Sequence, residues 1–271
     1  MEIVTLKPVF VFSDAGFLLF YTPRPFKIRG MKKEIDTTKA ARQHIELEGF
    51  LAGFSVKNPS LAEADKSVIE VDETTVKALA DLRAEVEGCK QCELWNQRKN
   101  AVVGEGNAAA KIVFVGEAPG REEDSQARPF VGRSGQLLDK IIAAMGLERS
   151  DVYICNILKC RPPDNRDPKP GEIEKCLPFL KRQLGLIQPE IIVALGAHAA
   201  KTLLETNKAI GQLRGKFHEF YFDDSQPPIK LMPTYHPSYL LRNYSQDNRR
   251  RVWDDMQKVM AEIGLRMPAR G

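Results

Sequence analysis

Nowhere does the sequence offer the roughly 20 uninterrupted apolar residues that a membrane span requires. Its most apolar stretch, Val9 to Tyr21, is broken by Ser13 and Asp14. No small-residue cleavage site follows that stretch, so a secretory signal is a poor reading and a cytoplasmic location is expected. Cysteine is scarce, with five in 271 residues. In a reducing compartment so few thiols exclude a disulfide framework, and their spacing is read for metal or redox chemistry instead. A strong excess of one charge is also missing. A formal net charge of +4 permits a polyanionic partner without demanding one. No internal repeat is present.

What is there describes a globular protein. Apolar residues make up 43% and charged residues 28%, enough to bury a core without covalent staples. Residues 1–30 are apolar and aromatic without clean periodicity. Either they lie upstream of a true start at Met31, which opens Met31-Lys32-Lys33-Glu34, or they form an N-terminal strand or hairpin. Residues 35–52 have helical composition, and 53–70 read as a linker. The expected division is therefore an extension and linker over 1–70 and a catalytic domain over 71–271.

From Asp72 the pattern sharpens. Asp72 can cap a helix whose apolar positions Val76, Leu79, Leu82 and Val86 recur at helical spacing, ending at Gly88. Short runs of branched apolar residues predict four buried strands: Ile112–Val115, Val152–Cys155, Ile191–Leu195 and Ile229–Met232. Helices are predicted between and after them, over Gly135–Met145, Glu172–Leu184, Ala197–Glu205 and Asn248–Ile263. Strands alternating with helices imply an α/β fold: a three-layer α/β/α sandwich around a four-stranded, mostly parallel sheet. Ligands of such sheets bind beyond the carboxyl ends of the strands. Three residue clusters fall there, after the first, second and fourth strands.

Cys89 and Cys92 form a CxxC unit, Cys160 follows 68 residues later and Cys176 a further 16. Four thiolates can close a tetrahedral zinc site or hold a [4Fe–4S] cluster, and spacing alone does not choose. The wide later pair favours the cluster. Cys155 lies within an apolar strand and reads as core.

After the first strand, Gly116-Glu117-Ala118-Pro119-Gly120 makes a tight loop whose backbone can approach a ligand closely. An acidic run follows, then Phe130 isolated in Pro129-Phe130-Val131-Gly132-Arg133. Asn156 ends the second strand, and its amide carries an acceptor and two donors on one rigid group, which suits the edge of a nucleobase. His236-Pro237-Ser238-Tyr239-Leu240-Leu241-Arg242 follows the fourth strand, with Arg249-Arg250-Arg251 beyond it. Each cluster alone has an ordinary structural explanation.

Together they resemble one family. Gly116-Glu117-Ala118-Pro119-Gly120-Arg121-Glu122-Glu123-Asp124 with Arg128-Pro129-Phe130-Val131-Gly132-Arg133 resembles the first signature of family 4 uracil-DNA glycosylases. Cys155-Asn156-Ile157-Leu158-Lys159-Cys160-Arg161-Pro162-Pro163 resembles the middle block, and His236-Pro237-Ser238 the last. The resemblance spans about residues 79–265. It implies a structural [4Fe–4S] cluster on Cys89, Cys92, Cys160 and Cys176, and hydrolysis of the N-glycosidic bond of deoxyuridine in single- or double-stranded DNA.

By that resemblance Gly116, Glu117, Ala118, Gly120, Glu123, Phe130, Asn156 and His236 bind the substrate. Phe130 would stack on a flipped uracil, Asn156 would read N3–H and O4, and Glu123 would crowd C5 against thymine's methyl. The catalytic pair would be Glu117 and His236. His236 would stabilise negative charge at uracil O2, and Glu117 would counter the sugar's positive charge or orient water. Other families of the superfamily have Asp where this chain has Ala118, so the water-activating role falls to Glu117. Ser238, Tyr239, Leu240 and Arg242 would meet DNA, with Tyr239 and Leu240 as wedges and Arg242 on phosphate. Partners are expected to be uracil-containing DNA and no membrane, with the chain a monomer. A relative that cross-links uracil through a His on an inserted basic loop is a poor match, because residues 161–171 contain no His. The alternative is a non-catalytic iron–sulfur protein that binds nucleic acid in a replication complex.

Overall fold

A computed structural model describes residues 72–222 and 227–265 of the protein. The expectations for residues 1–71, including the start at Met31 and the linker, lie outside the described residues. The first helix, α1 (Glu73–Gly88), begins as its cap residue dictates: the Asp72 carboxylate accepts from the Thr74 amide at 3.0 Å. Its buried stripe is shorter than the spacing predicts. Leu82 and Val86 are buried, but Val76 is 50% exposed.

The sheet has six strands in the order β1-β3-β2-β4-β6-β5, not four. The parallel core is as expected: β2 (Ile112–Gly116), β3 (Tyr153–Asn156), β4 (Ile191–Leu195) and β6 (Ile229–Thr234). The two additions, β1 (Glu105–Gly106) and β5 (His218–Phe220), pair antiparallel at the edges. Strands of two and three residues carry no periodicity for a sequence reading to detect. Both faces of the central strands are covered, and for that reason they read as continuous apolar runs rather than alternating ones. Val113, Val115, Cys155, Ile192, Ala194 and Leu231 pack under α1 and α4 (Pro170–Ile187). Ile112, Phe114, Ile154, Val193 and Met232 pack under α3 (Arg133–Ala144) and α8 (Gln246–Glu262). Cys155 is fully buried, as its strand position implies. Among the described residues no helix is long and apolar enough to cross a membrane.

Register fixes where chemistry can happen. Gly116 pairs with Asn156 and Leu195 with Thr234, so the four core strands end almost level. From β2 the chain steps to one side for β3, then crosses back past β2 for β4. That reversal opens a crevice between the loops after β2 and β4, the usual ligand position in such sheets. Short helices follow these ends: α2 (Arg121–Gln126) and α3 after β2, α5 (Ala197–Leu203) and α6 (Ile210–Leu213) after β4, and α7 (Pro237–Arg242) after β6. The buried Asp255 of α8 ties this end together. It accepts from Thr234 Oγ1 at 2.7 Å and from Arg214 at 2.7 and 3.1 Å.

Candidate active site

One open cleft lies over the strand ends, lined by Glu117, Ala118, Gly120, Glu123, Phe130, Asn156, His236, Ser238, Tyr239 and Arg242. Two expected members sit differently. Gly116 forms the floor beneath the lining. A Cβ there would fall 2.4 Å from Asn156 Oδ1 and 2.6 Å from Phe130 Cζ, so only glycine lets the amide and the ring converge. Leu240, on α7, is 5% exposed and does not line the cleft. The bulk that α7 turns to the cleft is the half-buried Tyr239, whose ring lies 4.9 Å from that of Tyr235, and its charge is the exposed Arg242.

The loop after β2 is built around Glu123. Its Oε2 accepts from the Gly120 amide at 3.1 Å, and its Oε1 from the Val131 and Gly132 amides at 3.0 and 2.8 Å. That carboxylate ties the start of the loop to the two residues after Phe130 while facing the cleft. Phe130 itself is 6% exposed with φ 51°, a left-handed backbone. Gly135 makes this possible, since a Cβ there would collide with the Phe130 carbonyl at 1.8 Å. The ring looks across to His236, with centroids 5.7 Å apart.

Asn156 is 2% exposed, and its Oδ1 has no hydrogen-bond partner. A buried unpaired acceptor costs about 1–3 kcal/mol. Such an atom at the floor of a cleft is one that a ligand N–H would satisfy.

His236 is held in one tautomer. The Ser238 backbone amide, which can only donate, reaches Nδ1 at 3.0 Å, and Ser238 Oγ lies 2.8 Å from the same atom. Nδ1 is therefore an acceptor, and the neutral ring carries its proton on Nε2. Burial, and then the Arg242 charge, push the His236 pKa down to about 4, so the ring is neutral at physiological pH. Ser238, expected on DNA, is engaged with this histidine. Pro237 at the first helical position and His236 as the cap of α7 fix the turn.

Two residues of the site escaped the sequence reading. His198, at the start of α5, places Nε2 3.9 Å from Glu117 Oε2 and 3.6 Å from Asp167 Oδ2. Burial raises the Glu117 pKa; His198 pulls it down, Asp167 pushes it up and Arg242 pulls it down. A lone His in an Ala-rich helix and an Asp in a Pro-rich loop carry no local signal. Only the crossover joins them to Glu117.

The cysteines meet on the other side of the sheet. Cys89, Cys92, Cys160 and Cys176 line one small cavity with Trp95, Arg98 and Phe179. Among the described residues, no three of the four sulfurs lie within 4.8 Å of one another. Tetrahedral zinc, with Zn–S near 2.3 Å, needs its sulfurs about 3.8 Å apart. The donor set is all thiol and more widely spaced than zinc requires, which suits a larger iron–sulfur group. Arg98 reaches the Val86, Glu87 and Cys89 carbonyls at 3.4, 2.5 and 3.3 Å and Cys160 Sγ at 3.0 Å.

Fold and cleft together define an α/β protein with its cleft at the carboxyl ends of a parallel sheet, where enzymes of this class bind their ligands. The profile described as "Uracil DNA glycosylase superfamily" matches residues 103–257. The type-4 uracil-DNA glycosylase of Thermotoga maritima is 48% identical over 179 residues, covering 66% of this chain and 91% of that protein. The type-4 enzyme of Archaeoglobus fulgidus is 42% identical over 197 residues, 71% of this chain and 97% of that protein. A type-5 uracil-DNA glycosylase of Pyrobaculum aerophilum is 27% identical over 201 residues, 69% and 87% of the two chains. The chain belongs to the type-4 uracil-DNA glycosylases of this superfamily.

Proposed function

We propose that the cleft excises uracil from single- or double-stranded DNA, leaving an abasic site. The observation that carries this is Asn156 Oδ1, buried and unpaired between Phe130 and the Gly116 floor. A base inside a duplex is unreachable, so the uracil is flipped out at a cost of about a few kcal/mol. Tyr239 and Arg242 on α7 meet the strand. Phe130 stacks on the base, and Oδ1 accepts from N3–H while the amide NH2 faces O4. Cytosine reverses both groups and leaves buried polar atoms unpaired. Glu123 stands beside this pocket as the group that crowds a C5 methyl.

As the glycosidic bond breaks, negative charge grows on the base and positive charge on the sugar. Neutral His236 donates from Nε2 to O2, which it can do without carrying a charge of its own. Glu117 stabilises the sugar cation and orients the attacking water. Cys89, Cys92, Cys160 and Cys176 hold a [4Fe–4S] cluster. When bound it supplies a covalent tie between α1, α4 and the Cys160 loop, with no redox step.

Incubation with a uracil-containing oligonucleotide, then alkali and a gel, tests the activity. A cut strand is expected; an intact strand would favour the non-catalytic nucleic-acid binder, and a covalent adduct the cross-linking chemistry. Iron analysis tests the cofactor. About four atoms per chain are expected, and colourless protein purified without air and carrying one zinc would refute it.

A further inference from the structure

Lys159 is a lysine buried to 1% exposure, and the chemistry of base excision has no use for it. Its neighbours explain why it is there. β3 ends at Asn156, and the chain then turns, with the Ile157 amide on the Gly116 carbonyl at 2.9 Å and the Leu158 amide on that of Glu117 at 3.0 Å. Lys159 closes the turn by reaching back with Nζ to the Asn156 carbonyl at 2.8 Å. The same Nζ donates to Gln183 Oε1 at 2.5 Å, and the Lys159 amide donates to Cys176 Sγ at 3.2 Å. Cys176 and Gln183 stand seven residues apart on one face of α4, so that helix grips Lys159 at two points. Gln183 is itself fixed, its Nε2 bonding the Val103 carbonyl at 3.0 Å and the Tyr153 hydroxyl at 3.1 Å.

We propose that Lys159 is the positioning residue of the base reader: it pins the Asn156 backbone to α4 so that the unpaired Oδ1 stays aimed into the cleft. This rests on the reading of the cleft as a uracil site. Removing a side chain that touches no substrate then alters recognition of the base. A misplacement of about 1 Å in such a group costs on the order of 10²-fold in rate. A role confined to stability would weaken every ligand alike.

Free uracil needs Asn156, whereas an abasic-site oligonucleotide does not, and this difference provides the test. Wild type and Lys159→Met, matched for iron content and melting temperature, are compared for inhibition by uracil and for affinity for abasic DNA. The uracil inhibition constant should rise about tenfold, the worth of one well-aimed hydrogen bond, with abasic-DNA affinity unchanged. Should Lys159→Met fail to fold, Gln183 carries the test. Gln183→Leu and Gln183→Glu both lose the donor to the Val103 carbonyl, but only Glu keeps an acceptor for Lys159, with its second oxygen able to accept from the Tyr153 hydroxyl. The Glu variant should bind uracil like wild type, and the Leu variant should bind it more weakly. Uracil binding unchanged in Lys159→Met, or equal in the two Gln183 variants, overturns the proposal, as does a parallel loss of uracil and abasic-DNA affinity. A wild-type protein that neither excises uracil nor is inhibited by it overturns the underlying reading instead.

Discussion

Asn156 joins a rigid backbone to an amide whose two ends differ, and the two ends can be altered separately. Asn156→Asp removes the NH2 and leaves two oxygens that can accept from N4 of cytosine. Uracil excision should fall by roughly one to three orders of magnitude, about 1–4 kcal/mol, and selectivity against cytosine should fall further. Asn156→Ala should lose uracil activity without gaining any on cytosine. Full activity and selectivity in Asn156→Asp, measured on paired oligonucleotides, would show that another group reads the base. Glu117 offers a test by pH. Its carboxylate must be charged to work, so excision fails as pH drops through its raised pKa. His198→Ala removes a group that lowers this pKa, and the acid limb of the kcat profile should move to higher pH. Asp167→Asn removes one that raises it, and the limb should move to lower pH. Shifts of the same sign in both variants would show that Glu117 does not set the limb. Asn156, Glu117 and His236 were legible because each sits in a motif beside a strand end. His198 and Asp167 were not, because their meaning lies in distances across the crossover.

At the scale of elements, the four core strands were legible from their apolar runs, and the edge strands β1 and β5 were too short to be. The resemblance implied a tie from α1 to the sheet through the cysteines, though not what else holds the joint closed. The structure assigns much of that to Arg98, whose half-buried guanidinium satisfies three carbonyls at the end of α1 and one sulfur. Arg98→Ala strands these acceptors, at about 1–3 kcal/mol for a buried group. The variant should lose its visible absorbance faster than wild type in the presence of an iron chelator. Arg98→Lys, a point charge that cannot fork, should fall between the two. Equal bleaching rates in all three would remove Arg98 from the account.

For the molecule as a whole, the pairing of Arg214 with Asp255 links distant segments of the chain. Asp255 is fully buried, and it connects α8, the end of β6 and the segment after α6. Breaking a buried pair from one side typically costs about 3–5 kcal/mol. Arg214→Met should therefore lower the denaturant midpoint by a corresponding amount, and a midpoint within experimental error of wild type would count against it. The sequence displays Arg214 and Asp255 as two unremarkable charges 41 positions apart, and nothing local marks them as partners.

The level strand ends have one more consequence, for the order in which the protein can gain and lose its activity. The cleft is assembled from five passes of the chain, at residues 116–134, 156–167, 196–198, 210 and 235–242. No single one of these passes contains it, so no local segment can rehearse it during folding. Base recognition therefore arises only when the whole parallel sheet has closed, a late and non-local event. Excision activity then doubles as a reporter of the folded state, appearing and vanishing with the sheet rather than ahead of it.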